Sequence, residues 1–267
     1  MIVQKIASVD LEEIRTLRPD GWSDIVPDFR FYLDADYCYP VKAVIDEQIV
    51  GVGAAIIYGD TGWLAHVIVD RNYRKRGIGY RIVQELLSLF PQGKIKTYSL
   101  IATELGKPVY RKAGFRTVGE YVFLKREHPW ISTSVSSHIH SFKKEYLHDI
   151  CALDRKISGE DRRKLITGFL KGACVYIQKD KVLGYYLPAL KEGPVYADHI
   201  EAGLELMKLK YATVDKAVLP SENVIAIDFL KANGFHETDT HGTRMIFGND
   251  IHWIPDQMYS RIGGNLG

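Results

Sequence analysis

The sequence predicts an α/β protein built from two tandem domains, each with a central mixed, mainly antiparallel sheet flanked by helices. Three observations carry this expectation. Residues 41–70 hold three apolar, β-branched runs broken at "DEQ" and "GDTG", the pattern of consecutive hairpins. Apolar residues at helical spacing follow, at Ile78, Ile82, Val83, Leu86, Leu87 and Phe90, and define an amphipathic helix. A similar order of strands and helices then recurs after residue 138, and "VYRKAGF", ending at Phe115, is echoed by "DFLKANGF", ending at Phe235. That echo reads as a divergent internal duplication, and 267 residues suit two domains of ordinary size.

In chain order, "VDLEEIRTL" predicts a short helix with Ile14 and Leu17 on one side, and "WSDIVPDFRFYLDA" a helical or looped segment broken near Pro27. Strands are expected at about 41–46, 48–58 and 62–70, then the helix that starts after Gly77 and stops at Pro91 and Gly93. "IKTYSLIAT" is a strand, "GKPVYRKAGF" a short helix capped by Gly114, and "RTVGEYVFLKRE" a closing strand pair. The first domain is therefore placed at 1–127, with a Ser/Thr-rich linker at 128–137. In the second domain, 138–248, "EYLHDICALDRKI" is a helix and "ACVYIQKDKVLGYYLPAL" a hairpin turning at "KDK". "YADHIEAGLELMKLK" and "ENVIAIDFLKAN" are helices around the strand "ATVDKAVLP", and "TRMIFG" is the last strand. Residues 249–267 are expected as a docking tail, frayed at its glycine-rich end.

Composition narrows the function. Thirty-five basic against 33 acidic residues, a net charge of +2, give no basic excess of the kind that nucleic acid needs. No run of about 18 apolar residues predicts a membrane span, and the N-terminus lacks a signal-peptide pattern. Cys38, Cys151 and Cys174 are odd in number and far apart, which fits buried thiols in a reducing cytoplasm better than disulfides or zinc. His138 and His140 form an alternating pair without a third ligand nearby, so no metal is expected; "DRRK" at 161–164 reads as a solvated helix face.

The chemistry concentrates in "RKRGIG", Arg74 to Gly79, after a strand and before the clearest helix. The first amides of a helix have no partner within it, and the helix dipole adds partial positive charge there. Glycines let a phosphate approach the backbone, and Arg74, Lys75 and Arg76 add charge and donors. The segment therefore reads as a pyrophosphate site. It is not the G-x-G-x-x-G dinucleotide loop, because Ile82 stands where a third glycine is needed, and it lacks the Gly-Lys-Ser/Thr of a P-loop.

Together, "WLAHVIVDRNYRKRGIGYRIVQELL" and "LIATELGKPVYRKAGF" resemble two segments of the GCN5-related N-acetyltransferases (GNAT), whose signature is Arg/Gln-x-x-Gly-x-Gly/Ala. The resemblance covers residues 1–127 in element order. "LDRKISGEDRRKLI", "EGPVYADHIEAG" and "TRMIFG" resemble the C-terminal half of bacterial tandem acetyltransferase-like proteins of the YitH type. The resemblance implies acetyl-coenzyme A as cofactor, its pyrophosphate on the amides of Arg74, Lys75, Arg76, Gly77, Ile78 and Gly79. The strand with Val67, Ile68 and Val69 would splay from the next strand and pair with the pantetheine arm, the amide near Val67 serving as oxyanion donor. Thr103, at the next strand's end, is grouped with the cofactor contacts. Tyr110, five residues before Phe115 where the family often carries a tyrosine, is the candidate acid; the plain alternative is a ring packed under its helix.

The general base is not legible. Trp63, Ala65, Val67 and Val69 are expected on one strand face, Trp63 shaping the acceptor pocket, and His66 on the other face. Asp34, Asp36 and Glu104 are no better placed. The function implied is direct transfer of an acetyl group to a primary amine of a small molecule or peptide, in a cytoplasmic monomer or homodimer. The rival is a cofactor-binding sensor or scaffold without catalysis. The second half is expected to bind no cofactor. "KEGPVYADHIEAG" has one glycine, Gly193, followed by Pro194, no cation cluster, and Asp198 and Glu201 near the helix start, while Leu230 takes the place of Tyr110.

Overall fold

The computed structural model describes residues 1–128 and 135–267; residues 129–134 of the expected linker lie outside the described residues. The chain opens with β1 (Ile2–Lys5), α1 (Leu11–Ile14, between two 3-10 turns) and α2 (Val26–Asp34). Pro27 sits in the first turn of α2 rather than breaking it, because a first-turn proline gives up an amide that has no helical partner anyway. Next come β2 (Cys38–Ile45), β3 (Gln48–Tyr58) and β4 (Thr61–Val69), paired antiparallel in order. The β2–β3 turn uses Asp46 and Glu47, with φ 48° and 65°, the positive-φ pair of a tight hairpin. α3 (Ile78–Ser88) carries the chain across to β5 (Thr97–Ala102), parallel to β4, and α4 (Lys107–Lys112) follows. Ile78, Ile82, Val83 and Leu86 of α3 pack with Leu64, Leu100, Tyr110 and Phe115 in one core. Close approach of α3 requires glycine at position 53, where a Cβ would lie 2.7 Å from Ile82 Cγ2.

The remaining elements are β6 (Arg116–Lys125), β7 (Ile139–Ser141), α5 (Leu147–Ser158), α6 (Arg163–Thr167), β8 (Cys174–Gln178), β9 (Lys181–Tyr186) and β10 (Val195–Ala197). They are followed by α7 (Ile200–Tyr211), β11 (Lys216–Pro220), α8 (Val224–Ala232), β12 (His236–Gly248) and β13 (Met258–Ser260). "RTVGEYVFLKRE" is thus one strand, not a pair. A tight hairpin there would need positive φ, and neither Gly119 nor Glu120 has it.

Two compact units result, and they differ from the sequence boundaries. The first is Met1–Thr117 with Met245–Asp250 and Leu266; the second is Val118–Arg244 with Ile251–Asn265 and Gly267. In the first, the sheet order β1-β2-β3-β4-β5 continues into residues 245–248, the end of β12. Asn249 N donates to Lys96 O (2.9 Å), and Thr97 Oγ1 donates to Asn249 O (2.9 Å). In the second, residues 121–125 of β6 pair with β11, from Lys216 opposite Lys125 to Pro220 opposite Tyr121. The strand expected to close the first domain therefore serves the second unit, and the end of β12 takes its place.

In the second unit a separate sheet runs β13-β10-β9-β8-β7. Ala202, Leu206, Met207 and Tyr211 of α7 pack with Ala226, Ile227 and Leu230 of α8. The "DRRK" run is not a solvated face throughout. Arg162 is buried, donating to Asp154 through Nε (3.0 Å) and Nη2 (2.7 Å), while Tyr185 OH also donates to Asp154 (2.5 Å). Nor is the tail frayed: Met258, Tyr259 and Ile262 are buried, and Arg261 forms a two-pronged pair with Glu192.

Lys210 ties that tail down. Its buried ammonium donates to Glu192 O (2.6 Å), Gly193 O (2.7 Å) and Ser260 Oγ. Burial lowers its pKa from 10.5 to about 7. A folded-state pKa below the unfolded one means that unfolding takes up a proton between these two values. Stability is therefore expected to rise with pH across that window. The slope of urea midpoint against pH should flatten in Lys210→Met; equal slopes in parent and variant would refute the shift.

Candidate active site

The site in the first unit begins where β4 and β5 part. Their parallel pairing covers Thr61 with Thr97, Gly62 with Tyr98 and Trp63 with Ser99, and beyond Trp63 the strands separate. β4 stays paired with β3 as far as Val69 opposite Gly51, so the opening lies on the β5 side of residues 64–69. An opening between parallel strands leaves backbone groups facing a gap, where an extended ligand with amides of its own can complete the ladder.

A bulge re-aims β4 within this stretch. Val52 pairs with Ile68 but Ala54 with Ala65, so His66 and Val67 together oppose Gly53. His66 takes φ 47°, a conformation that costs a residue with a Cβ about 1–2 kcal/mol. The extra residue breaks the two-residue alternation. Leu64, Val67 and Val69 consequently pack with the α3 core. His66 instead meets α2: its Nδ1 is 2.8 Å from Tyr32 OH, its Nε2 3.6 Å from Asp28 Oδ2, and Phe29 lies 5.7 Å away between ring centroids. The expectation that Val67 and Val69 share a face with Trp63, and that His66 lies opposite, is corrected by this bulge. Trp63 is fully buried at a position paired on both sides, so its ring presents no surface.

The loop after β4 is ordered by its own polar groups. Asp70 Oδ1 accepts from Asn72 N (2.7 Å), and Arg74 Nε donates to Val69 O (3.2 Å). Arg76 lies over the Tyr73 ring at 5.0 Å, and Arg74, Lys75 and Arg76 are exposed. Lys75 (φ 63°) and Gly77 (φ 79°) turn the chain, Gly77 being the N-cap of α3. The first helical bond runs from Arg81 N to Gly77 O (3.0 Å), so the amides of Ile78, Gly79 and Tyr80 precede the ladder. A Cβ at Gly79 would point at Val69 Cγ2 (3.6 Å) and Val109 Cγ1 (3.8 Å), toward the end of β4 and the start of α4.

α4 brings Tyr110 to the same core. The tyrosine is 9% exposed, its ring edge-on to Phe115 at 5.8 Å, and burial pushes its phenol pKa above the ordinary 10. Such a phenol holds its proton at neutral pH. Thr103 is turned into its own chain: its carbonyl accepts from Gly106 N (2.9 Å) and Lys107 N (3.0 Å), and its Oγ1 from Gly106 N (3.3 Å). Glu104 pairs with Lys107 (2.5 Å), and Asp34 and Asp36 are exposed.

The second unit lacks the counterpart of this loop. Only Asp198 and His199 separate β10 from α7, against Asp70 to Gly77 in the first unit. Gly193, expected at the helix start, lies before β10, and its carbonyl is held by Lys210. Asp198 pairs with Lys156 (2.9 Å), Glu201 occupies the first turn of α7, and Leu230 is fully buried.

Comparison with known proteins identifies the architecture. Residues 7–115 match the Acetyltransferase (GNAT) family, and residues 150–260 match the Acetyltransferase (GNAT) domain. The chain belongs to the GNAT acetyltransferase family, with two such domains in tandem. It is 27% identical over 208 residues, 73% of each chain, to the "Uncharacterized N-acetyltransferase YitH" of Bacillus subtilis (strain 168). Its fold is shared with "A Putative Acetyltransferase from Pyrococcus horikoshii", at a TM-score of 0.82 and 20% identity over 100% of this chain and 95% of that one. A GCN5-related N-acetyltransferase from Sphaerobacter thermophilus matches at a TM-score of 0.62 and 14% identity, over 94% and 97% of the two chains.

Proposed function

We propose that the protein is an acetyl-coenzyme A-dependent N-acetyltransferase, moving the acetyl group directly to a primary amine of a small molecule or peptide. The observation that carries this reading is the parting of β4 and β5 beside a glycine-bearing helix start flanked by three exposed cations. The residues fit the cofactor's chemistry: amides of Arg74 to Gly79 for a diphosphate, the β5 side of Val67, Ile68 and Val69 for an amide-bearing arm, and Thr103 at the rim. Bound acetyl-coenzyme A supplies an activated thioester. The Val67 amide stabilises the developing oxyanion. Tyr110 keeps a proton for the departing sulfur, since burial raises its pKa. Three free thiols agree with a reducing cytoplasm, and among the described residues no helix is long and apolar enough to cross a membrane. The protein acts as a monomer or homodimer.

Calorimetry with acetyl-coenzyme A tests the site. The full chain is expected to bind one equivalent, through the first unit. A Cβ at Gly79 meets only ordinary contacts, so the β-branched Gly79→Val should keep its fold while filling space toward the cofactor. Binding is expected to weaken at least about tenfold, ~1.4 kcal/mol. Affinity equal to the parent's would sink the loop assignment, and two equivalents per chain would sink the single-site reading.

A further inference from the structure

We infer that Met245–Asp250 is the support of Tyr110, with Phe247 as a positioning residue for proton transfer. The inference rests on the reading of Tyr110 as the acid. Three observations within the first unit point to it. Phe247 packs on Phe115 at 5.6 Å between ring centroids, and Phe115 in turn meets Tyr110 edge-on at 5.8 Å. Gly114, at φ 95°, leaves the Phe247 ring its place: a Cβ there would lie 3.2 Å from Phe247 Cε2. The segment is also fastened along its length. Met245 is fully buried in the core that holds Tyr110, Asn249 exchanges hydrogen bonds with Lys96 and Thr97, and Asp250 pairs with Arg116 at 2.6 Å. At Gly248 a Cβ would fall 2.2 Å from Lys96 O, so the backbone lies directly against β5.

The chemistry gives this packing a purpose. A phenol donates along one direction, and α4 is a helix of only six residues, too short to fix its own side chains by backbone order alone. Phe115 is the ring against which Tyr110 rests, and Phe247 backs Phe115. Interdigitated rings transmit a displacement because the core between them has no slack. A late segment of the chain thus sets the aim of a group near the end of its first half.

The test is a double-mutant cycle in the full chain, read as coenzyme A release from acetyl-coenzyme A with the best amine of a panel of polyamines, amino acids, aminoglycosides and lysine peptides. Phe247→Leu removes the ring and is expected to lower turnover about tenfold through misplacement of Tyr110, with KM for acetyl-coenzyme A unchanged. In the Tyr110→Phe background the same substitution should cost almost nothing, and Phe247→Tyr, which restores a ring, should recover turnover. In 3-fluorotyrosine-labelled protein, the fluorine resonance that disappears in Tyr110→Phe should shift in Phe247→Leu. Equal losses in both backgrounds, or an unmoved resonance, would overturn the inference. If Tyr110→Phe alone leaves turnover intact, the acid assignment fails by itself, and the catalytic role of Phe247 falls with it. Phe247→Met serves as the second variant should the leucine form not fold.

Discussion

Tyr110→Phe is expected to lower turnover by roughly 10²–10⁴-fold, the usual contribution of a positioned general acid, while acetyl-coenzyme A affinity stays nearly level. The substitution removes a proton and nothing else. The ring is 9% exposed and edge-on to Phe115, and phenylalanine keeps both the volume and that contact. Burial raises the phenol pKa, so the residue enters each cycle protonated and loses no proton as pH rises through neutrality. A fall in rate toward alkaline pH that survives in Tyr110→Phe therefore belongs to another group. Steady-state rates with calorimetric affinity check the expectation. Unchanged turnover would mean that the proton comes from elsewhere or that chemistry is not limiting.

The largest expected loss of stability is in Asp154→Ala. Asp154 is the acceptor for two guanidinium N–H groups of Arg162 and for Tyr185 OH, and both charged side chains are 1% exposed. Tyr196 lies beneath the guanidinium at 5.2 Å. Removing the carboxylate leaves the buried guanidinium only the looser Glu160 carboxylate, 3.7 Å away, and breaking a buried pair in this way costs up to about 3–5 kcal/mol. Asp154→Asn should recover part of it, because an amide oxygen still accepts one donor. Urea unfolding of the full chain measures both, and a cost under about 1 kcal/mol would show that Arg162 finds another partner or solvent.

The sequence reading succeeds where local chemistry decides. Alternation and positive-φ turns mark β2 to β4, spacing marks α3, and the two glycines mark its N-terminus. It fails where the deciding fact is distant. Nothing in "WLAHVIV" announces a bulge, since no glycine marks the positive φ of His66, and this one residue reverses the face to which the imidazole belongs. Arg162 sits in a charged run that resembles a surface, yet Asp154, eight residues earlier and across the end of α5, takes it inside. The exchange of β6 for the end of β12 is invisible to neighbour-based reasoning, which pairs each strand with the nearest in sequence. Phe247 was legible only as an apolar residue of a last strand.

The sheet exchange also sets the timetable of synthesis. The ribosome delivers β1 through α4 long before residues 245–250 exist, so β5 waits with an open edge while the intervening chain is made. Domains otherwise tend to fold as they appear, and unpaired edges favour aggregation. Here the first half cannot close on its own schedule. A product that stops anywhere before Met245 lacks the strand next to β5 and the ring behind Phe115, so translation must run nearly through this sequence before its first sheet is whole.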